Sequence, residues 1–321
     1  MTSLYKLRDW IDKDKFNWCM LAINKNPIAM DLLAANPDKI VWYNICKNPN
    51  AINLIKKNPE KVIWSVLSKN EAAIDLLAAN QDKIDWDELS GNPNAIDLLE
   101  QNLDKIVWIY LSENPNAIDL IKSNQDESQM NSSFWAMLSH NPNAIDLLTK
   151  NQDKINWRHL SINPNAIKLL KANIHKIDWV MLSTNPNAID LLTTNQDKIY
   201  WRHLSINPNA IKLLKANIHK IDWAMLSTNP NAIDLLEANP DKINYYYLST
   251  NPNAMHLLEK NKDREIDYDC WFASNPNIFE LDYSYLDKRI SIYKEELIAT
   301  TMHPSRIQMW IDSGVDIEDL F

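Results

Sequence analysis

The sequence predicts an all-α solenoid, a right-handed-type stack of short helix pairs with one pair in each 22-residue repeat. Three observations predict it. A motif of the form LSxNPNAIDLLxxNxDKIxW recurs along most of the chain, every copy carries two turn-forming asparagines, and only two of the 321 residues are glycine. A fixed period in this range indicates a repeat architecture, in which each unit packs only against its neighbours.

An asparagine, usually followed by proline, marks each repeat. The spacing is 22 residues, with one step of 27 and one of 24, and the residues are Asn26, Asn48, Asn70, Asn92, Asn114, Asn141, Asn163, Asn185, Asn207, Asn229, Asn251 and Asn275. We therefore predict an N-terminal cap at residues 1–25, a helical repeat solenoid at 26–275 with an insertion at about 125–133, and C-terminal capping helices at 276–321.

Each repeat is expected to hold two short helices. Asn92 and Pro93 suit the cap and first position of the first helix. Asn102 is expected to end that helix in the left-handed conformation and to cap the second helix. Helices of roughly 8–10 residues are unstable alone, so tryptophan and leucine side chains must be buried between repeats. Stacking at about 9–10 Å per layer predicts a rod or arc on the order of 100 Å long, with the termini shielding its ends.

A leucine-rich repeat is the alternative fold, because its repeat lengths include 22 residues. Ile84, Leu89 and Asn92 can be placed on its consensus. Asp87, however, stands where that consensus requires leucine. The paired Asn-Pro starts also favour helices.

Composition excludes several function classes. The net charge of −9 argues against a nucleic-acid backbone as the main partner. Cys19, Cys46 and Cys270 form no CxxC pair, which is typical of buried thiols in a reducing compartment. No signal peptide or membrane span is expected. Without a nucleophile motif, phosphate-binding loop or metal-ligand cluster, we expect a protein that is not an enzyme and needs no cofactor.

Two blocks of the chain are near copies. Residues 157–192 and 201–236 differ only at Val180 and Ala224, which indicates a recent duplication and a repeat number that is free to change. The duplicated histidines are interpreted as surface or packing positions, since an active-site residue is rarely needed twice: His159, His175, His203 and His219.

The two residues after each tryptophan vary between copies, and a fixed scaffold with one varying set of side chains is how solenoids build a recognition surface. Drift at unconstrained positions is the alternative. The hypothesis requires Ile109, Tyr110, Tyr246 and Tyr247 to be exposed. The candidate partner-binding residues are Tyr43, Asp87, Glu88, Ile109, Tyr110, Arg158, His159, Arg202, His203, Tyr246 and Tyr247.

Charged residues form two columns. The candidate acidic stripe is Asp31, Asp75, Asp97, Asp119 and Asp146. The basic column is Lys39, Lys61, Lys83, Lys105, Lys154, Lys176, Lys198, Lys220 and Lys242. Either the columns form a solvated face on which lysine balances the aspartate of the next repeat, or the acidic stripe docks a basic partner.

The repeat motif resembles a largely uncharacterised family of repeat proteins encoded by giant nucleocytoplasmic DNA viruses, of the mimivirus-like and chlorella-virus-like groups. The segments FELDYSYLDKRISIYKEELI and MHPSRIQMWIDSGVDIEDLF are similar to the C-terminal region of those proteins. The resemblance implies a viral origin and a repeat scaffold, with no activity or site residue to transfer.

These observations predict a scaffold that binds a host or viral protein in the host cytoplasm or the virion. A structural virion protein that associates with itself or with capsid components is the alternative. A nucleic-acid-binding repeat protein is a weaker alternative, because no basic groove is evident.

Overall fold

The computed structural model describes residues 4–124, 128–262 and 271–314. It confirms the all-α solenoid: short helices recur with the 22-residue period and pack in series. The chain divides into a repeat unit, Trp10–Ile278, and a terminal unit formed by Met1–Asp9 together with Phe279–Phe321. The repeat unit therefore takes in residues 10–25, which we had assigned to a separate cap. Part of the 125–133 insertion, residues 125–127, and Cys270 lie outside the described residues.

The first helix of each repeat, the A helix, starts at an isoleucine or methionine after the Asn-Pro pair. The A helices are Ile28–Ala34, Ile52–Lys57, Ile74–Ala78, Ile96–Glu100, Ile118–Ser123, Ile145–Lys150, Ile167–Ala172, Ile189–Thr193, Ile211–Ala216, Ile233–Glu237 and Met255–Lys260. They are shorter than expected because the Asn-Pro segment forms a separate turn before most of them.

The second helix, the B helix, starts at the tryptophan in most repeats. The B helices are Trp18–Leu21, Trp42–Lys47, Trp64–Leu67, Trp86–Ser90, Trp108–Glu113, Ser132–His140, Trp157–Ile162, Trp179–Leu182, Trp201–Ile206, Trp223–Ser227 and Tyr245–Leu248. In several repeats an aspartate or asparagine directly before the aromatic residue caps the helix; Asp178 Oδ1, for example, accepts from the Met181 amide at 3.0 Å.

Asn102 closes the end of the A helix as predicted, but the left-handed conformation and the B-helix cap predicted for it are wrong. Its φ is −139°, and among the described residues only Gly314 has a positive φ. Its Nδ2 donates to the Leu98 carbonyl at 2.9 Å, so it closes the end of the A helix instead of capping the B helix. The 3-10 turn Leu103–Lys105 and two extended residues, Ile106 and Val107, then lead to Trp108, where the B helix begins.

Short 3-10 turns connect the helices. They are Lys13–Lys15, Pro37–Lys39, Pro49–Ala51, Pro59–Lys61, Gln81–Lys83, Leu103–Lys105, Ile174–Lys176, Gln196–Lys198, Ile218–Lys220, Pro240–Lys242, Pro252–Ala254, Phe272–Ser274 and Pro276–Ile278.

The core runs along the stack as columns of aliphatic side chains. Each regular repeat contributes an alanine and a leucine from the A segment and a leucine from the B helix, such as Ala188, Leu192 and Leu182, and all three are fully buried. Most of the tryptophans are half-buried, whereas Trp135 is buried and Trp271 is exposed. Burial of the aliphatic columns is therefore the main apolar contribution to stacking.

Buried asparagines join consecutive repeats. In each repeat the marker asparagine donates from Nδ2 to carbonyl oxygens of the preceding repeat; Asn185, for example, reaches Ser161 O at 3.0 Å and Asn163 O at 2.9 Å. Its Oδ1 accepts from the Asn187 amide at 3.0 Å. We call this series the asparagine ladder: Asn24, Asn48, Asn70, Asn92, Asn114, Asn141, Asn163, Asn185, Asn207, Asn229, Asn251 and Asn275.

The ladder begins at Asn24, two residues before the asparagine that the Asn-Pro pattern predicts. Asn24 Nδ2 donates to Ala273 O at 2.8 Å and to Asn275 O at 2.9 Å. Asn26 Nδ2 donates to Pro276 O at 3.0 Å. The first repeat is thus bonded to the last in the way that each repeat is bonded to its predecessor. The prediction of two separate, shielded ends is wrong for the repeat unit.

The terminal unit contains two strands and two helices. Strand Tyr5–Leu7 pairs antiparallel with Phe279–Leu281, with Lys6 opposite Glu280. Two helices follow, Tyr283–Thr301 and Pro304–Asp312. Gly314, with φ +90°, stands two residues after the helix Pro304–Asp312, in the left-handed conformation that favours glycine after a helix.

Candidate protein-interaction surface

The variable positions after the tryptophans lie on the solvent side of the B helices. Tyr43 is 51% exposed, and Tyr110 and Tyr246 are each 41% exposed. Ile109 and Tyr247 are half-buried. The three exposed tyrosines therefore keep the recognition hypothesis open.

Helical geometry explains this arrangement. In the B helix Trp86–Ser90, Leu89 points into the core and is fully buried. Asp87 is exposed and Glu88 is half-buried on the opposite side. Substitutions at the two positions after the tryptophan therefore change the surface without changing the core.

Four of the predicted residues lie along one groove, which we call the B-helix groove. Its central depression, about 570 Å³, is lined by Tyr43, Lys47, Ser65, Val66, Lys69 and Glu88. A second depression of about 240 Å³ adds Asp87, Tyr110 and Glu113. A third of about 450 Å³ adds Lys25 and Glu71. The depressions share Lys47, Lys69, Glu71 or Glu88, so the groove is continuous across neighbouring repeats.

The groove has opposite charges at its two ends. Lys25, Lys47 and Lys69 lie towards the N-terminal repeats, whereas Asp87, Glu88 and Glu113 lie in the following two. Lys47 Nζ stands 4.2 Å from the centre of the Tyr43 ring. Lys69 Nζ is 3.5 Å from Glu88 Oε2 at the junction. That pair is exposed and contributes little to stability, so both charges remain accessible to a ligand.

Lys47 and Lys69 were missed by the sequence reasoning. Each directly precedes a ladder asparagine, and Lys47 lies one helical turn after Tyr43 on the same face. The same position holds Gly91 and Glu113 in the next repeats. This variation was the signal that could have identified it as part of the surface.

The remaining candidate residues are not brought into this groove. Arg158 and Arg202 are exposed, and Arg202 Nη1 contacts Asp222 Oδ2 at 3.2 Å. The rings of Tyr246 and Tyr247 contact each other edge to face at 5.1 Å.

His159 and His203 are half-buried, and the Nδ1 atoms of both are buried without a hydrogen-bond partner. Burial, followed by the nearby charges of His140 and Arg158, lowers the pKa of His159 below its usual value. His175 and His219 are exposed. These environments agree with packing and surface roles.

The acidic stripe is solvent-exposed at all five predicted positions, Asp31, Asp75, Asp97, Asp119 and Asp146. The lysine column does not balance it as expected. Six lysines lie over the tryptophan of the preceding repeat, with Nζ 4.6–5.1 Å from the ring centre: Lys83, Lys105, Lys154, Lys176, Lys198 and Lys220. Cation–π attraction therefore engages these lysines, and the acidic stripe stays free of them.

A second structural contact was also missed. Ser183 Oγ donates to Trp179 O at 2.8 Å and accepts from the Tyr200 amide of the next repeat at 3.0 Å. Cys46 occupies the equivalent position, and its Sγ accepts from the Ile63 amide at 3.4 Å. Burial raises the pKa of the Cys46 thiol, so Cys46 replaces a structural serine and is not an activated nucleophile.

Within the described ranges, no group of three or more histidine, cysteine, aspartate or glutamate side chains could hold a metal ion. In the same residues, no helix combines the length and apolar character needed to cross a bilayer. No family model, curated protein or solved structure matches the chain.

Proposed function

We propose that this protein is a non-enzymatic, virus-encoded repeat scaffold that binds a protein partner through the B-helix groove, in the host cytoplasm or in the virion. One observation carries the proposal. Exposed tyrosines and opposite charges are concentrated in a continuous groove at positions that vary, while the surrounding repeat is nearly constant. A repeat scaffold that varies only on one surface is suited to recognition.

The charges of the groove define the partner. An extended protein segment fits if its acidic side chains lie over Lys25, Lys47 and Lys69 and its basic side chains lie beside Asp87 and Glu113. Tyr43 and Tyr110 supply aromatic contact surface at either end of this run. A nucleic-acid strand fits poorly, because the acidic end of the groove repels phosphate.

Selection from a random-peptide display library tests the proposal. The full chain is compared with Lys47→Glu/Lys69→Glu and with a control of equal charge change on exposed A-helix positions, Lys168→Glu/Lys212→Glu. We expect the native chain and the control to enrich segments that are acidic at one end and basic at the other. The groove variant should bind those segments at least about tenfold more weakly.

Two results would overturn the proposal. One is the absence of enriched segments with the native chain. The other is an equal loss of binding in the groove variant and in the A-helix control, because that loss would reflect net charge and not the groove.

A second candidate, a structural virion component, is favoured by an exposed apolar stripe on the helix Tyr283–Thr301. Affinity purification from infected cells with mass spectrometry separates the two candidates. Recovery of capsid proteins alone would support the structural role and exclude a host adaptor.

A further inference from the structure

The helix Tyr283–Thr301 carries an apolar face that is exposed among the described residues. Its 19 residues follow the N-cap Asp282, whose Oδ1 accepts from the Tyr285 amide at 3.1 Å. Tyr283 is 71% exposed, Ile290 54%, Tyr293 63% and Leu297 62%. A contiguous exposed apolar face of this kind is typical of a surface that packs against a partner.

The spacing of the apolar residues is that of a coiled coil. Tyr283, Leu286, Ile290, Tyr293, Leu297 and Thr300 follow one another at alternating intervals of three and four residues. They occupy the a and d positions of a heptad repeat, the positions that form the seam between two helices. Lys288 and Glu295 lie at the outer f positions.

The charges beside the seam specify the partner. Asp287 and Lys294 lie at e positions, and Arg289 and Glu296 lie at g positions. None of these four has an oppositely charged residue three or four positions away on its own helix. Within the described part of the chain, none forms an ion pair. All four are exposed and therefore available to pair with charges of another chain.

We propose that this face pairs with the same helix of a second copy of the chain, in an antiparallel coiled coil. In the symmetric register, Leu286 packs against Leu297 of the second copy and Ile290 against its Tyr293. The e positions then place Asp287 beside the second copy's Lys294. The g positions place Arg289 beside its Glu296. The two-fold axis repeats both contacts, so all four charges on each copy are matched.

A parallel pair is disfavoured by the same residues. It would place Arg289 beside the second copy's Lys294 and Asp282 beside its Asp287, and like charges at these positions act against pairing. A lipid surface is also a poor occupant, because acidic residues along the helix offset the basic ones, whereas interfacial helices carry an excess of lysine and arginine on their polar face.

Sedimentation velocity of the full chain over a concentration series tests the proposal. The seam spans 18 residues, or about 27 Å at the helical rise. We therefore expect a reversible monomer–dimer equilibrium of the weak, small-interface class. Lys294→Asp places the introduced aspartate of each copy beside Asp287 of the other copy. The two repulsive contacts should weaken the dimer at least about tenfold. Lys288→Asp makes the same charge change at an outer position and should leave the dimer within about twofold of native.

The charge-exchange variant Asp287→Lys/Lys294→Asp should restore dimerisation, which excludes loss of folding as the cause of the single-variant effect. Ile290→Asp should abolish the dimer while far-UV circular dichroism reports an intact repeat unit. A native chain that stays monomeric, equal effects of Lys294→Asp and Lys288→Asp, or a dimer strengthened by Lys294→Asp would each overturn the proposal. The last result would indicate a parallel pair.

Discussion

Asn24→Ala tests whether the asparagine ladder closes between the first and last repeats. The Asn24 side chain makes two bonds to the last repeat, to Ala273 O and Asn275 O, and accepts the Asn26 amide at 2.8 Å. Alanine would leave Ala273 O without this donor and the Asn26 amide without this acceptor, whereas Asn275 O keeps the Ile278 amide at 3.4 Å. An unsatisfied buried group costs about 1–3 kcal/mol, so the expected loss in free energy of unfolding is about 2–6 kcal/mol.

A comparison with an asparagine in the middle of the asparagine ladder makes the experiment decisive. Asn185→Ala removes equivalent bonds in the middle of the ladder, so a closed ladder predicts similar losses for Asn24→Ala and Asn185→Ala. In an open ladder the carbonyls next to Asn24 would face water, and the change would cost less than about 1 kcal/mol.

Urea unfolding followed by far-UV circular dichroism measures both variants, with the midpoint compared at constant slope. Asn187→Ala is the matched control, because it removes only one exposed bond, to Pro164 O at 3.0 Å. An Asn24→Ala midpoint that coincides with the Asn187→Ala midpoint would refute closure.

Three further changes test the contacts between repeats. Ser183→Ala removes a fully buried hydroxyl that both donates and accepts, and should lower the free energy of unfolding by about 1–3 kcal/mol in urea titration. Lys198→Ala removes the ammonium 4.8 Å from the Trp179 ring centre and should cost about 0.5–1 kcal/mol, whereas Lys198→Arg should retain most of that contribution. Because the folded-state pKa of His159 lies below 6.5, the unfolded chain binds the proton more tightly. The contribution of His159 to the free energy of unfolding is complete above pH 6.5 and is lost as the pH falls below that value. Between neutral and mildly acidic pH, His159→Gln should therefore lose less stability in urea than the native chain.

The period, the helical class and the apolar columns were predictable from the sequence because each depends on local rules. Repeated Leu98 and Leu99 equivalents define a helical face, and an asparagine followed by proline is a strong helix-start signal. These features recur in most copies, so a helix that is ambiguous in one repeat can be assigned from its equivalents in the other repeats.

The contacts that join repeats were less predictable. Asn102 could close the helix before it, with its Nδ2 donating to a carbonyl, or cap the helix after it, with its Oδ1 accepting from an amide. Both arrangements suit an asparagine between two helices. A serine stands two residues before most ladder asparagines and recurs with the repeat, but its spacing does not show which backbone groups a buried hydroxyl reaches. The Asn102 bond is local and reaches four residues back along the chain, whereas the serine hydroxyl reaches an amide 17 residues ahead, in the next repeat.

Part of the candidate surface followed from the sequence because exposure within a helix depends on local rules. Variation after the tryptophan identified Tyr43, Asp87, Glu88 and Tyr110, because position within a helix fixes which side chains face solvent. Lys47 was missed because a groove between repeats is lined by residues from successive helices, and sequence spacing does not state how those helices are offset.

Closure of the ladder changes the meaning of the duplicated blocks. Near-identity of residues 157–192 and 201–236 indicates that repeats can be added or removed, and in an open solenoid each addition would only lengthen the stack. Here Asn24 must also reach Asn275, so every repeat contributes to the geometry that brings the first repeat onto the last. Removing a two-repeat block would break that contact unless each remaining step changed its angle, which the buried Asn and Ser bonds between neighbours oppose. The repeat number is therefore constrained by the fold, while the exposed positions after each tryptophan remain free to vary without disturbing closure.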